Sequence, residues 1–204
     1  MAAAPPVFFF DFSSPYAYLA AMRIAEVLPA ATWRPIAFGA LIRQIGKVPW
    51  SLRPGREAGM REIEERAAER GLPPVRWPEG WPDSSYSLVP LRAALIAETH
   101  GRLREFSLEV YRLMFAEGRT LTEPAPVLEA AAAVGLNRDA VDVRLEHPEI
   151  KARLRAYTDE AVARGVTGVP TVAVGGALFW GDDLLEAAAR AAARPRGLQA
   201  GPGA

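Results

Sequence analysis

Apolar and polar positions along the chain change period three times. From Val7 to Phe12 the sequence is apolar except for Asp11. Such a run predicts a short central strand covered on both faces. Ser14 then stands as a helix N-cap with Pro15 at the first helical position. Tyr18, Leu19, Met22 and Ala25 follow at roughly helical spacing and predict a helix over 15–28. A second strand is predicted over 31–38, where Pro35 implies an edge position or a bulge. This β-α-β start implies a parallel pair with a right-handed crossover.

The pattern then turns helical. A short turn is expected over 39–45, a loop over 46–54 and a charged helix over 56–70 with a thin stripe of Met60, Ile63 and Ala67. Pro73, Pro74, Pro78 and Pro82 make 71–87 extended and irregular, with Trp77, Trp81 and Tyr86 as aromatic anchors. Helices are predicted over 89–99, 103–116, 123–134, 139–146 and 148–164, with Gly118, Gly135 and Gly165 closing three of them. Past Pro170, strands over 171–174 and 177–180 flank Gly175-Gly176, a two-residue hairpin signal. A last helix is expected over 184–193, and disorder beyond it. The two ends must share one sheet. The expected layout is a discontinuous domain of 1–45 and 165–196, a helical insertion over 46–164, and a disordered tail over 197–204.

Composition narrows the chemistry. The 204 residues carry 24 basic and 24 acidic side chains. With no basic excess to release counterions, a nucleic-acid partner is not expected. Cysteine is absent. A disulfide framework, a thiol nucleophile and a Cys-ligated metal are therefore impossible. Met1 to Pro6 lacks a basic leader pattern and no apolar stretch approaches spanning length, so a cytoplasmic protein away from membranes is expected. His100 and His147 fall in the helical block, away from the candidate chemistry.

That chemistry centres on Ser14. A hydroxyl at a helix start meets unpaired backbone N–H groups and the positive end of a helix dipole, a setting that favours an anion, thiolates included. Ser14 also reads as an ordinary cap, and Asp11 as a turn carboxylate. Asp182 and Asp183, opening the last helix, read as cap and first-turn acids.

The element order, with Gly168-Val169-Pro170-Thr171 just before the hairpin, resembles a thioredoxin-like fold with an inserted all-helical domain, as in disulfide oxidoreductases of the DsbA kind. Asp11-Phe12-Ser13-Ser14-Pro15-Tyr16-Ala17-Tyr18-Leu19 stands where those enzymes carry Cys-x-x-Cys. Together with Phe179-Trp180-Gly181-Asp182-Asp183, and with Phe115-Ala116-Glu117-Gly118 in the helical block, it is similar to the 2-hydroxychromene-2-carboxylate isomerase family, related to kappa-class glutathione transferases. The resemblance implies a cytoplasmic homodimer that uses glutathione as cofactor and interconverts a small aromatic substrate, 2-hydroxychromene-2-carboxylate, with trans-o-hydroxybenzylidenepyruvate.

Carried over by residue, the resemblance gives Ser14 the glutathione sulfur. It gives Val169, with Pro170 as a cis-proline, the cysteinyl backbone. It gives Asp182 and Asp183 the γ-glutamyl end, and Lys47 and Arg56 the glycine end. Pro15, Tyr16, Trp50 and Tyr86 are the expected second-substrate pocket. Thr167 stands where that family often has an aromatic residue, and Leu184 where it often has arginine. Two other readings share the sequence: a kappa-like transferase acting on another electrophile, and a non-enzymatic interaction protein on a cysteine-free thioredoxin scaffold.

Overall fold

The computed structural model describes residues 4–194; the expected tail over 197–204 lies outside them. Strand β1 (Val7–Phe10) is buried throughout. It pairs in parallel with β2 (Thr32–Pro35) and antiparallel with β3 (Thr171–Val174), which pairs antiparallel with β4 (Ala177–Trp180). The order β2-β1-β3-β4 puts Pro35 on an edge strand, where its missing N–H costs no ladder bond. β1 stops at Phe10, two residues before its apolar run ends. Asp11 turns the chain there, its carboxylate accepting from Ser13 N at 2.8 Å while its carbonyl accepts from Ser14 N at 3.2 Å.

Alternation along β1 separates two cores. Phe8 and Phe10 face α1 (Pro15–Val27), Trp33 and the helical block. Val7 and Phe9 face Ile36, Leu41, Ala161, Val166 and Val169. On the first side α1 packs against α9 (Leu185–Ala193). On the second lie α2 (Phe38–Gln44) and α8 (Pro148–Ala163). Thr158 of α8 accepts from Ala37 N at 3.0 Å, so this last helix of the expected insertion also serves the sheet.

The remaining helices are α3 (Arg56–Glu69), α4 (Leu88–Thr99), α5 (Leu103–Tyr111), α6 (Pro124–Ala133) and α7 (Arg138–Arg144). The single helix expected over 103–116 ends instead in a π-helical turn, Arg112–Ala116. Two partners outside the helix pull its carbonyls: Arg76 N donates to Phe115 O at 2.7 Å and Arg119 N to Leu113 O at 3.0 Å. The wide turn carries Tyr111 and Phe115 in near-parallel array, 6.5 Å apart, toward the sheet end where α1 begins. Among the described residues no helix is long and apolar enough to cross a membrane.

Candidate functional site

The start of α1 faces the loop that enters β3. Ser14 is the N-cap: its Oγ accepts from Ala17 N at 3.2 Å and donates to Val169 O at 3.2 Å. No acidic residue lies in the first turn of α1 itself. The Val169–Pro170 bond is cis, as is Trp81–Pro82. Among the backbone bonds of the described residues the Val169 N–H has no acceptor. A buried residue thus presents a free N–H and a carbonyl held by one hydroxyl, a pair suited to a ligand's peptide bond.

This edge forms the floor of a cavity of about 920 Å³. That is the upper end of the about 300–1,000 Å³ spanned by small-molecule sites. Pro49, Trp50 and Leu52 form one wall, Phe38 and Ile42 another, and Pro82 and Tyr86 a third. Trp50 lies against α3 at Gly59, where an added Cβ would come within 2.5 Å of the indole. It meets Tyr16 at 5.8 Å and Trp81 at 5.7 Å between ring centres, and Trp77 and Phe115 continue that stack into the helical block. Trp180 lies at the rim, so close over Gly168 that no side chain fits there.

The structure brings most of the expected residues to this cavity: Ser14, Pro15, Tyr16, Lys47, Trp50, Tyr86, Val169, Pro170, Asp182 and Asp183 all line it. Arg56 is absent from the lining, because it begins α3 while the loop before it turns Arg53 inward. Arg43 and Arg53 join Lys47 as cations at the mouth. Arg43 donates to Gly39 O and Arg53 to Val48 O, while Lys47 lies 5.9 Å from the Trp180 ring centre. Among the described residues none of the three is paired with a carboxylate.

The two aspartates separate. Asp182 is fully buried and clamped by Arg66 at 2.7 Å and by Arg70. Arg66 also holds Glu62 at 2.5 Å, and Glu62 accepts from Tyr16 OH at 3.0 Å. Burial and the Glu62 carboxylate push the Tyr16 phenol up to about 12, so it stays protonated at neutral pH. Asp183 is exposed on the cavity side with no cationic partner among the described residues. Residues 62, 66 and 70 fall on one face of α3, a spacing that marks a charged stripe in the sequence without saying what it faces.

Two further groups bear on the site: Asp11, which the sequence offered as a turn carboxylate, and Tyr111, which it did not single out. Asp11 is fully buried against the floor. Its Oδ1 accepts from Ser13 N at 2.8 Å and Ser13 Oγ at 2.9 Å, and its Oδ2 from Phe38 N at 2.7 Å. Burial raises its carboxyl above the ordinary 3.8, and these hydrogen bonds pull part of that back. Tyr111, buried in the π-turn region, donates to Asp11 O at 3.1 Å and ties the helical block to the same turn. Neither histidine reaches the cavity, and both are exposed.

The sequence is 27% identical over 186 residues to a 2-hydroxychromene-2-carboxylate isomerase of Sphingobium xenophagum, covering 88% of this chain and 93% of that one. A solved 2-hydroxychromene-2-carboxylate isomerase superposes with a TM-score of 0.75 at 21% identity, over 89% of this chain and 91% of the other. A probable DsbA oxidoreductase from Streptomyces coelicolor superposes at 0.72 with 23% identity, over 96% and 92%. The profile of the DSBA-like thioredoxin domain runs from residue 7 to 193, through the turn at Ser14, the helical block and the cis-proline loop alike, and the chain belongs to that family.

Proposed function

We propose that the protein is a glutathione-dependent isomerase of 2-hydroxychromene-2-carboxylate or a near relative, giving trans-o-hydroxybenzylidenepyruvate. The observation that carries this reading is the Ser14 hydroxyl, set at the start of α1 on the floor of a large cavity in a chain that has no thiol of its own. The isomerase relative, matched over 93% of its length, supports the choice of reaction.

The residues present fit glutathione. The free edge of Val169 suits its central peptide, the unpaired Asp183 carboxylate its ammonium, and Lys47, Arg43 and Arg53 its carboxylate ends. Asp182, ion-paired with two arginines, has no charge to spare and instead fixes the turn that presents Asp183. When bound, glutathione supplies the nucleophilic thiol for reversible addition to a conjugated carbon. Ser14 donates a hydrogen bond at that sulfur position; a ligand amide that takes over the Val169 carbonyl frees the hydroxyl to do so. An ordinary thiol, with pKa about 8.5, is only a few per cent ionised at pH 7. Lowering it by about two units needs roughly 2.7 kcal/mol, within reach of one charge-assisted hydrogen bond plus a helix dipole. Trp50, Tyr86 and Pro82 form an apolar wall for a flat second substrate and keep water from the reacting bond.

Turnover of the chromene acid, measured beside conjugation of a chlorodinitrobenzene-type electrophile, tests the reaction. Glutathione-dependent isomerisation is the expected result. Conjugation without isomerisation would make the protein a transferase, and stable capture of a protein partner without glutathione binding would make it an interaction scaffold.

A further inference from the structure

Ser13, beside Ser14, also opens onto the cavity, and its hydroxyl leads inward to a buried carboxylate. The hydrogen bonds around Asp11 define a one-way geometry. Oδ2 is met by the Phe38 N–H and Oδ1 by the Ser13 N–H. Neither donor can accept a proton in return. The Ser13 hydroxyl, 2.9 Å from Oδ1, can reverse its bond, because a hydroxyl both donates and accepts. The two backbone N–H donors can only donate, and both favour the ionised carboxylate.

The groups that bear on Asp11 from neighbouring elements are Phe38 at the start of α2, the Ser87 hydroxyl before α4, and Tyr111 of α5, which donates to the Asp11 carbonyl. No Lys, Arg or His bears on it among the described residues. An ionised acid held without a cation is a base in waiting, and burial raises its carboxyl above the ordinary value.

We propose that Ser13 and Asp11 form a proton relay, in which the Ser13 hydroxyl takes the proton of a bound glutathione thiol and passes its own to Asp11 Oδ1. This rests on the glutathione reading. One S–H bond breaks and one O–H bond forms on Ser13; the former Ser13 O–H bond breaks and one forms on Asp11. No electrons are transferred, and the reverse path returns the proton. The Ser13 hydroxyl then donates toward the cavity beside that of Ser14, and the protonated Asp11 donates to Ser13 Oγ. The site thus generates its anion without passing a proton to solvent. Asp11, acting through Ser13, is a positioning residue for that proton.

The test is calorimetry of glutathione binding to the full chain near neutral pH, in buffers of different ionisation enthalpy, with thiolate absorbance read in parallel. Wild type is expected to show thiolate with almost no proton released to buffer. Ser13→Ala and Asp11→Asn are each expected to release about one proton for each thiolate formed, with the thiolate titration moved to higher pH. Ser13→Ala alters a half-buried side chain and keeps the test open should Asp11→Asn not fold. Thiolate accompanied by proton release in wild type would overturn the relay and leave the glutathione site standing, as would wild-type behaviour of Ser13→Ala. Absence of glutathione binding, or of any thiolate, would overturn both.

Discussion

Each residue at this site has one task that its surroundings enforce. Ser14 cannot serve as an ordinary serine nucleophile, since neither histidine reaches the cavity to take its proton. It acts as a donor. Ser14→Ala is therefore expected to lower isomerase turnover about tenfold or more, as losing one positioned donor does, with a smaller change in glutathione affinity. The two aspartates make opposite predictions. Asp183→Asn should weaken glutathione binding while leaving thermal unfolding unchanged. Asp182→Asn should unfold early, by about 2–3 kcal/mol, below the usual cost of breaking a buried pair because Arg66 and Arg70 keep partial access to water. Denaturant titration and calorimetry on both variants separate the roles. Asp11 carries a pH signature. Its carboxyl lies above the ordinary 3.8 when folded, so the folded chain binds the proton more readily than the unfolded one. Stability contributed below pH 3.8 is lost as pH rises through the folded value. Unfolding free energies of wild type minus Asp11→Asn should fall with rising pH across that window; a difference that rises would contradict the assigned direction.

At the scale of elements, the wall of the cavity depends on a missing side chain. Trp50 sits on α3 only because residue 59 is glycine. Gly59→Ala adds up to about 1 kcal/mol of helix propensity but evicts the indole from its seat between Tyr16 and Trp81. The expected outcome is a helix at least as stable and a raised KM for the aromatic substrate, with glutathione affinity little changed. Elements specified by local signals were legible: β3 and β4 run from Thr171 to Val174 and from Ala177 to Trp180 on the hairpin signal alone. Elements altered by distant partners were not. β1 loses Asp11 and Phe12 because a carboxylate reaches Phe38 as well as Ser13, and the π-turn forms because Arg76 reaches Phe115. Asp182 and Asp183 read alike in sequence, as two acids at one helix start. What divides them is α3, brought across by the fold. The cations follow the same rule: Lys47 was legible, whereas Arg53 supplants Arg56 through a loop path that no local pattern records.

At the scale of the molecule, a DSBA-like thioredoxin domain carries no cysteine. Absence of cysteine means that no disulfide reductase activity is expected under any redox condition. The helix start proposed to stabilise a thiolate faces a cavity of about 920 Å³, roomy enough for a thiol brought from outside beside a second ligand. The loop entering β3 supplies Val169, the start of α1 supplies Ser14, α3 fixes the turn before α9, and the helical block reaches the same point through Tyr111. The central claim is that this meeting point ionises glutathione. The most direct measurement is the thiolate absorbance of bound glutathione as a function of pH, in wild type and Ser14→Ala. The expected wild-type midpoint lies about two units below the free thiol value of about 8.5, and returns most of the way in the variant. An unshifted wild-type midpoint, or a variant identical to wild type, would contradict it.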